Sequence, residues 1–359
     1  MAEVIGLMAS MLGIISFTEG QFAKLIKPGP ETVVRIQVGL DYAGGLSNAG
    51  GDIPDVRIFN EAGTSLGKYA YRGHIHNNEF RDIIIQHKHR SNQAATYALF
   101  SAHNDAICIA YATVTAPSGD KYGWVGDWGR KCGGNWYYSH VPISGTNYQP
   151  DCFWIDGNGD QPQTGFQIHW PEFSNRSYND IPPTPAAQEK KIDYLCTAGP
   201  PFKMHSQPNR KPKSIVYWNL AGNDTRNSLT LPAIATSYAP LERTESDLPD
   251  PRRRRQRKGP SVAHMISTSL VVDDNDQHSA GGLCNDANSY GPDFLDNARS
   301  VFCRMSDKKV FPVCGSGGTD EIVDNCFHRD LQQLILNGVA ARDEPYRKVI
   351  DWTLPPKLE

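Results

Sequence analysis

Residues 106–140 read AICIAYATVTAPSGDKYGWVGDWGRKCGGNWYYSH. Ile107, Ile109 and Tyr111 fall on one face and Cys108, Ala110 and Ala112 on the other, an alternation that predicts a β-strand. Pro117-Ser118-Gly119-Asp120, a dense set of turn formers, ends it. Trp124, Trp128 and Trp136 then follow among glycines, with Tyr122, Tyr137 and Tyr138 beside them and Cys132 between. The stretch supplies no nucleophile with a base and no complete metal-ligand set. It reads as the core strand of a sandwich that ends in an aromatic loop.

Upstream, Val34, Ile36, Val38 and Leu40 share a face while Arg35 and Gln37 take the other. Further strands are predicted at Val56–Phe59, Ile83–Gln86 and Thr96–Phe100, joined by Gly-, Asn- and Asp-rich links. This spacing predicts a mainly β protein, with an antiparallel β-sandwich or jelly roll over residues 30–236. No helix of convincing length is expected before residue 180; residues 174–213 read as irregular, and Ser214–Leu220 as one more strand. Residues 237–260 lose all hydrophobic pattern and read as a linker, acidic at first and then basic in the run RRRRQRK. Residues 261–359 form a smaller cysteine-rich α+β region. In it, Ser269–Val272 predicts a strand. Phe294, Leu295, Ala298, Val301 and Phe302 predict a helix over 292–305, and a second is expected at Asp330–Asn337, closed by Gly338.

Eight cysteines divide into Cys108, Cys132, Cys152 and Cys196, then Cys284, Cys303, Cys314 and Cys326. No CxxC and no zinc-type Cys/His spacing occurs, so two disulfides per half in an oxidising compartment is the natural reading, with three pairings open in each set. The apolar run from Val4 to Phe17 suits the core of a signal peptide ending near residue 20. Glu3 and the lack of a basic residue ahead of that run keep a second reading, a membrane-inserting N-terminal segment. Sequons at Asn175 and Asn223 suit a secreted glycoprotein. In that setting Arg255 and Lys258 are exposed processing-protease substrates. The net charge of −3 leaves the chain acidic outside the basic run and makes it a poor nucleic-acid binder by charge alone, while a nuclear-localisation or nucleic-acid patch is the rival reading of that run.

Asp156-Gly-Asn158-Gly-Asp160 sets three oxygen ligands at alternate positions, as in loops that wrap Ca²⁺, although Gln161 and Gln167 depart from the EF-hand pattern. The rival reading is a turn whose side chains bond their own backbone. Asp41, Asp52, Asp55, Asp120 and Asp127 are candidate supplements to a loop-end calcium site. Trp124, Trp128, Trp136, Tyr137 and Tyr138 are candidates to stack on sugar rings, or else to fill the core. Glu172 with Asp156, or another aspartate of 151–160, is a candidate glycosidase pair. His74/His76 and His87/His89 have a same-face spacing seen in metal sites, with no third ligand identifiable. No GxSxG is present.

Three segments carry a likeness: AICIAY…GWVGDWG…WYYS with WIDGNGDQPQTGFQIHWPEF, HSAGGLCNDANSYGPDF, and FCRM. Together they resemble a group of secreted proteins of filamentous ascomycete fungi. That resemblance implies a fungal, secreted product and carries over no activity and no catalytic residue. Through VVRIQVGLD and GGDIPDVRIFNEAG the first half is also similar to PLAT and C2 β-sandwiches, a likeness of fold alone. The opening MAEVIGL resembles the start of fungal cell-death proteins that perturb membranes. The expected function is a non-enzymatic binding or effector-like protein acting on glycan or cell surfaces. The alternatives are a carbohydrate-active hydrolase or lyase and a membrane-active toxin.

Overall fold

Thr32, Val33, Val34, Ile36 and Val38 are β-branched, fit a pleated half-buried surface, and form β1 (Glu31–Val38). The computed structural model describes residues 30–39, 49–174, 182, 184–218, 268–315, 325–341 and 346–353. The expectations for residues 1–20, Asn175, Asn223, the 237–260 segment, Arg255 and Lys258 lie outside them.

After β1 come β2 (Gly51–Asp52), β3 (Asp55–Phe59), β4 (Ser65–Tyr69), β5 (His74–Ile75), β6 (Phe80–Gln86) and β7 (Tyr97–Ser101). The stretch read first supplies β8 (Ile107–Thr115), β9 (Lys121–Val125), helix α1 (Asp127–Lys131) and β10 (Trp136–Tyr138). β11 (Asp151–Ile155), β12 (Gln163–His169), helix α2 (Pro185–Thr197) and β13 (Phe202–Ser206) complete the first half. Two antiparallel sheets result, one ordered β10-β11-β8-β1-β6 with β9 also on β8, the other β13-β12-β7-β3-β4. β8 shares one edge between two partners: Ile107–Ile109 pair with β11 and Tyr111–Thr115 with β9. Gly126 sits at that handover, where a Cβ would come within 2.3 Å of the Asp151 carbonyl oxygen.

Trp124 locks the sheets face to face. From the first sheet it stacks on Phe166 and Phe202 of the second, at 4.9 and 5.7 Å between ring centroids, with Phe153 edge-on at 6.2 Å. This is a mainly β, antiparallel sandwich.

The second half is a mixed sheet, β17-β16-β15-β14-β21, built from β14 (Ser269–Asp273), β15 (Asp293–Asp296), β16 (Val301–Arg304), β17 (Lys309–Pro312) and β21 (Lys348–Asp351). β14 runs parallel to both β15 and β21, and the crossover to β15 carries helix α3 (Ala280–Cys284). A small antiparallel sheet of β18 (Asn325–His328), β19 (Gln333–Leu336) and β20 (Val339–Ala340) flanks it.

All eight cysteines are bonded, two pairs per half: Cys108–Cys152, Cys132–Cys196, Cys284–Cys303 and Cys314–Cys326. The halves nevertheless share a core. One apolar cluster runs from the sandwich into Val271, Leu283, Phe294, Ile350 and Trp352.

Four sequence expectations need correction. The helix expected over 292–305 is the β15–β16 hairpin, in which Leu295 faces Phe302 and Phe294 faces Cys303. Pairing with β14 and the bond from Cys303 to Cys284 override the helical spacing of the apolar residues. The helix expected at 330–337 is β19 with its flanking turns. Residues 214–218 join no sheet: the Val216 N–H and carbonyl bond the Gln167 side chain (2.8 and 2.7 Å) instead of a strand. The supposedly irregular 174–213 contains α2, whose Thr184 accepts the Ala187 N–H and whose Pro185 opens the first turn.

Candidate functional site

The aromatic residues of the central stretch are not an open platform. Trp124, Trp128 and Trp136 have no exposed surface, and Tyr137 and Tyr138 keep 1% and 3%. Trp128 packs edge-on against Phe173 at 5.3 Å. Trp136, Tyr137 and Tyr138 face the second half and bond to it: Trp136 Nε1 donates to Asp286 (2.8 Å), Tyr137 Oη to the Pro292 carbonyl (3.0 Å) and Tyr138 Oη to the Ser279 carbonyl (3.1 Å). The expectation that these rings stack on sugars is therefore corrected. Their faces are covered by protein, and their polar tips bind the two halves together.

The 156–160 loop follows its rival reading. Asp156 Oδ2 accepts the N–H groups of Asn158, Gly159, Asp160 and Gln161, and Asn158 Oδ1 accepts the Asp160 N–H. Asn158 Nδ2 also donates to the Asn104 carbonyl at 2.6 Å. Of the candidate supplements, Asp52 gathers with Asp105 and His74. Burial and the nearby carboxylates of Asp52, Asp156 and Asp160 push the Asp105 carboxyl up. Asp55 is held by His103 at 2.9 Å, Asp120 by Ser118 at 2.7 Å, and Asp127 lies elsewhere, in a pocket described below; Asp41 is outside the described residues. His87 is buried, within 2.7 Å of Thr32 Oγ1 and 2.6 Å of the Ser91 carbonyl.

Glu172 and Asp156 are not a catalytic pair. The Asp156 N–H donates to Gln163, which begins β12, whereas Glu172 lies beyond His169, which ends it. Seven residues of strand separate the two ends by roughly 20 Å. Glycosidase carboxylates stand about 5–10 Å apart. Glu172 instead accepts from Tyr194 Oη (2.8 Å) and Trp218 Nε1 (3.1 Å) and pairs with His169 Nδ1 at 3.4 Å.

That pairing makes His169 a stability group. Burial opposes its charge, but bonds to Glu172 and Glu61 outweigh burial and lift the imidazole to about 9. A folded pKa above the unfolded value of about 6.5 stabilises fully below that value, and the gain is lost as pH rises through about 9. Discounting for the half-exposed Glu61, the loss is roughly 2 kcal/mol. Thermal unfolding followed between pH 6 and pH 10 is expected to show this decline in wild type, and His169→Gln is expected to flatten it.

The described residues form an open, solvent-facing pocket of about 420 Å³, lined by Asp127, Arg130, Lys131, Asn147, Tyr148, Gln149 and Asp151 of the first half and Gln277 of the second. α1 supplies Asp127, Arg130 and Lys131, and β11 supplies Asp151. Tyr148 Oη donates to Asp127 Oδ1 (2.7 Å), and the Asp151 N–H donates to Asp127 Oδ2 (3.2 Å). Burial first, and then the Asp151 charge, push the Asp127 carboxyl well above the usual carboxylate range. Arg130 donates to Asp151 (2.9 Å) with its guanidinium 3.6 Å above the Trp136 ring. Partial desolvation against the pocket wall and the adjacent Arg130 charge lower Lys131, whose outer surface stays exposed.

Sequence reasoning named Asp127 and Asp151 for other roles and missed the rest of this lining. Asn147, Tyr148 and Gln149 stand in a polar loop with no periodicity to mark them, and Gln277 arrives from a different half. Among the described residues, no helix is long and apolar enough to cross a membrane. Compared with family models and with curated proteins, the chain matches none.

Proposed function

We propose that the chain is a secreted, non-enzymatic binding protein that takes a hydroxyl-rich ligand, a glycan by its chemistry, in the pocket where the halves meet. The pocket lining carries the reading. The Gln277 amide bridges the Asn147 carbonyl (2.7 Å) and the Gln149 N–H (3.1 Å), the Asn147 and Gln149 side chains add further amides, and Arg130 and Lys131 stand against Asp127 and Asp151. A sugar hydroxyl both donates and accepts, so it meets partners on all sides here, and the Tyr148 ring adds an apolar edge. Four disulfides with no cysteine left free suit the oxidising route that a secreted protein takes.

The test is a glycan array probed with the whole protein, followed by titration of the best ligand. Lys131→Ala and Gln149→Ala are each expected to weaken binding by about tenfold or more, the effect of one lost charged or polar contact. If wild type binds no glycan, or if both variants bind as it does, the proposal fails.

A further inference from the structure

A second polar cluster lies on the same seam. His140 follows β10, Asp273 ends β14, and His278 stands in the crossover toward β15. One imidazole nitrogen of each histidine and one Asp273 carboxylate oxygen all lie within 4.8 Å of one another. We propose that His140, Asp273 and His278 form a binding site for a divalent first-row transition-metal ion, with Zn²⁺ as its probe.

The donor chemistry fits. Two imidazoles and one carboxylate suit zinc and its neighbours, whereas calcium and magnesium favour all-oxygen sets. About 2 Å from a tetrahedral ion, such donors stand a little over 3 Å apart. The donors already lie within 4.8 Å, so small side-chain rotations suffice, and where His278 Nδ1 and Asp273 Oδ2 are the ligands the ion displaces the proton they share.

His278 supplies an independent observation. It is 2% exposed, and its Nδ1 is hydrogen-bonded to Asp273 Oδ2. Its Nε2 is buried with no hydrogen-bond partner. A buried nitrogen without a partner is costly, and a cation satisfies an imidazole lone pair as no apolar neighbour can.

The surroundings hold the donors in place. Trp352 stacks flat on His140 at 4.6 Å, and Tyr138 stacks on His278 at 4.2 Å. The Asn275 N–H donates to Asp273 Oδ1 at 3.1 Å, and Arg299 Nη1 pins the His278 carbonyl at 2.7 Å. Outer contacts of this kind orient metal ligands. His140 adopts φ 53°, a left-handed backbone that side-chain-bearing residues rarely take and that recurs at ligand clamps. Asp273 also lies at the carboxyl end of a strand flanked by parallel neighbours, where open parallel sheets bind ligands.

Metal-stripped full-length protein would be titrated with Zn²⁺ by calorimetry and with Co²⁺ by visible absorption. Wild type is expected to take up a single equivalent and to show the intense bands of a tetrahedral Co²⁺ site. His140→Gln and His278→Gln are each expected to weaken Zn²⁺ binding by more than about tenfold and to abolish those bands. His140 is only partly buried, so His140→Gln carries the test if His278→Gln does not fold. The control is His74→Ala, in the other His/Asp cluster with Asp52 and Asp105. The proposal is overturned if wild type takes up no ion, if His140→Gln binds as wild type does, or if His74→Ala is the variant that removes binding.

Discussion

Trp124→Ala is expected to destabilise the protein by about 4 kcal/mol and to lower its Tm by roughly 8–16 °C. Trp124 is fully buried, comes from one sheet and stacks on Phe166 and Phe202 of the other. Truncation removes its transfer free energy and leaves a cavity that two pleated sheets cannot close without losing register. Tyr71→Ala is the control, since Tyr71 is 72% exposed and should change stability by no more than about 0.5 kcal/mol. Equal shifts in the two variants, read by denaturant titration, would show that the inter-sheet stack does not hold the fold.

The second large effect concerns Cys132–Cys196, which spans 64 residues and ties the end of α1 to α2. Replacing both cysteines by serine is expected to cost about 4 kcal/mol on the chain-entropy account. The same change at Cys314–Cys326, which spans only 12 residues, should cost about 3 kcal/mol. Urea midpoints of the two double variants give the comparison. A larger loss at Cys314–Cys326 would mean that native packing, and not the freedom of the unfolded chain, sets the value of these bonds.

Much of the sandwich was legible because its strands carry period-2 patterns that no other element satisfies. β1, β3, β6, β7, β8 and β14 lie where Val, Ile and aromatic alternation placed them, within one to three residues. The hairpin at 293–304 was not legible, because Phe294, Leu295, Val301 and Phe302 also fit one face of a helix. Only the neighbouring β14, which a one-dimensional pattern does not contain, decides between the two. α2 could have been found from Thr184-Pro185, a capping residue followed by a proline suited to a helix start.

For the site, the aromatic stretch pointed to rings that the fold buries. Composition gives ring count, and only packing gives which faces stay open. The pocket and the histidine cluster both join residues more than a hundred positions apart, such as Gln149 with Gln277 and His140 with His278. Separations of that size leave no mark in local spacing.

The seam would decide what a processing cut does to the chain. Each disulfide closes within its own half, so no sulfur bridge joins the sandwich to the mixed sheet. A protease that cut after Arg255 or Lys258 would turn one polypeptide into two. The shared apolar core, the backbone bonds between Trp136 and residues 288–290, the tips of Trp136, Tyr137, Tyr138 and Trp154, and the Gln277 amide against Asn147 and Gln149 would then be non-covalent ties between them. Cohesion of the halves would become an association equilibrium, sensitive to dilution and to whatever ligand bridges the junction.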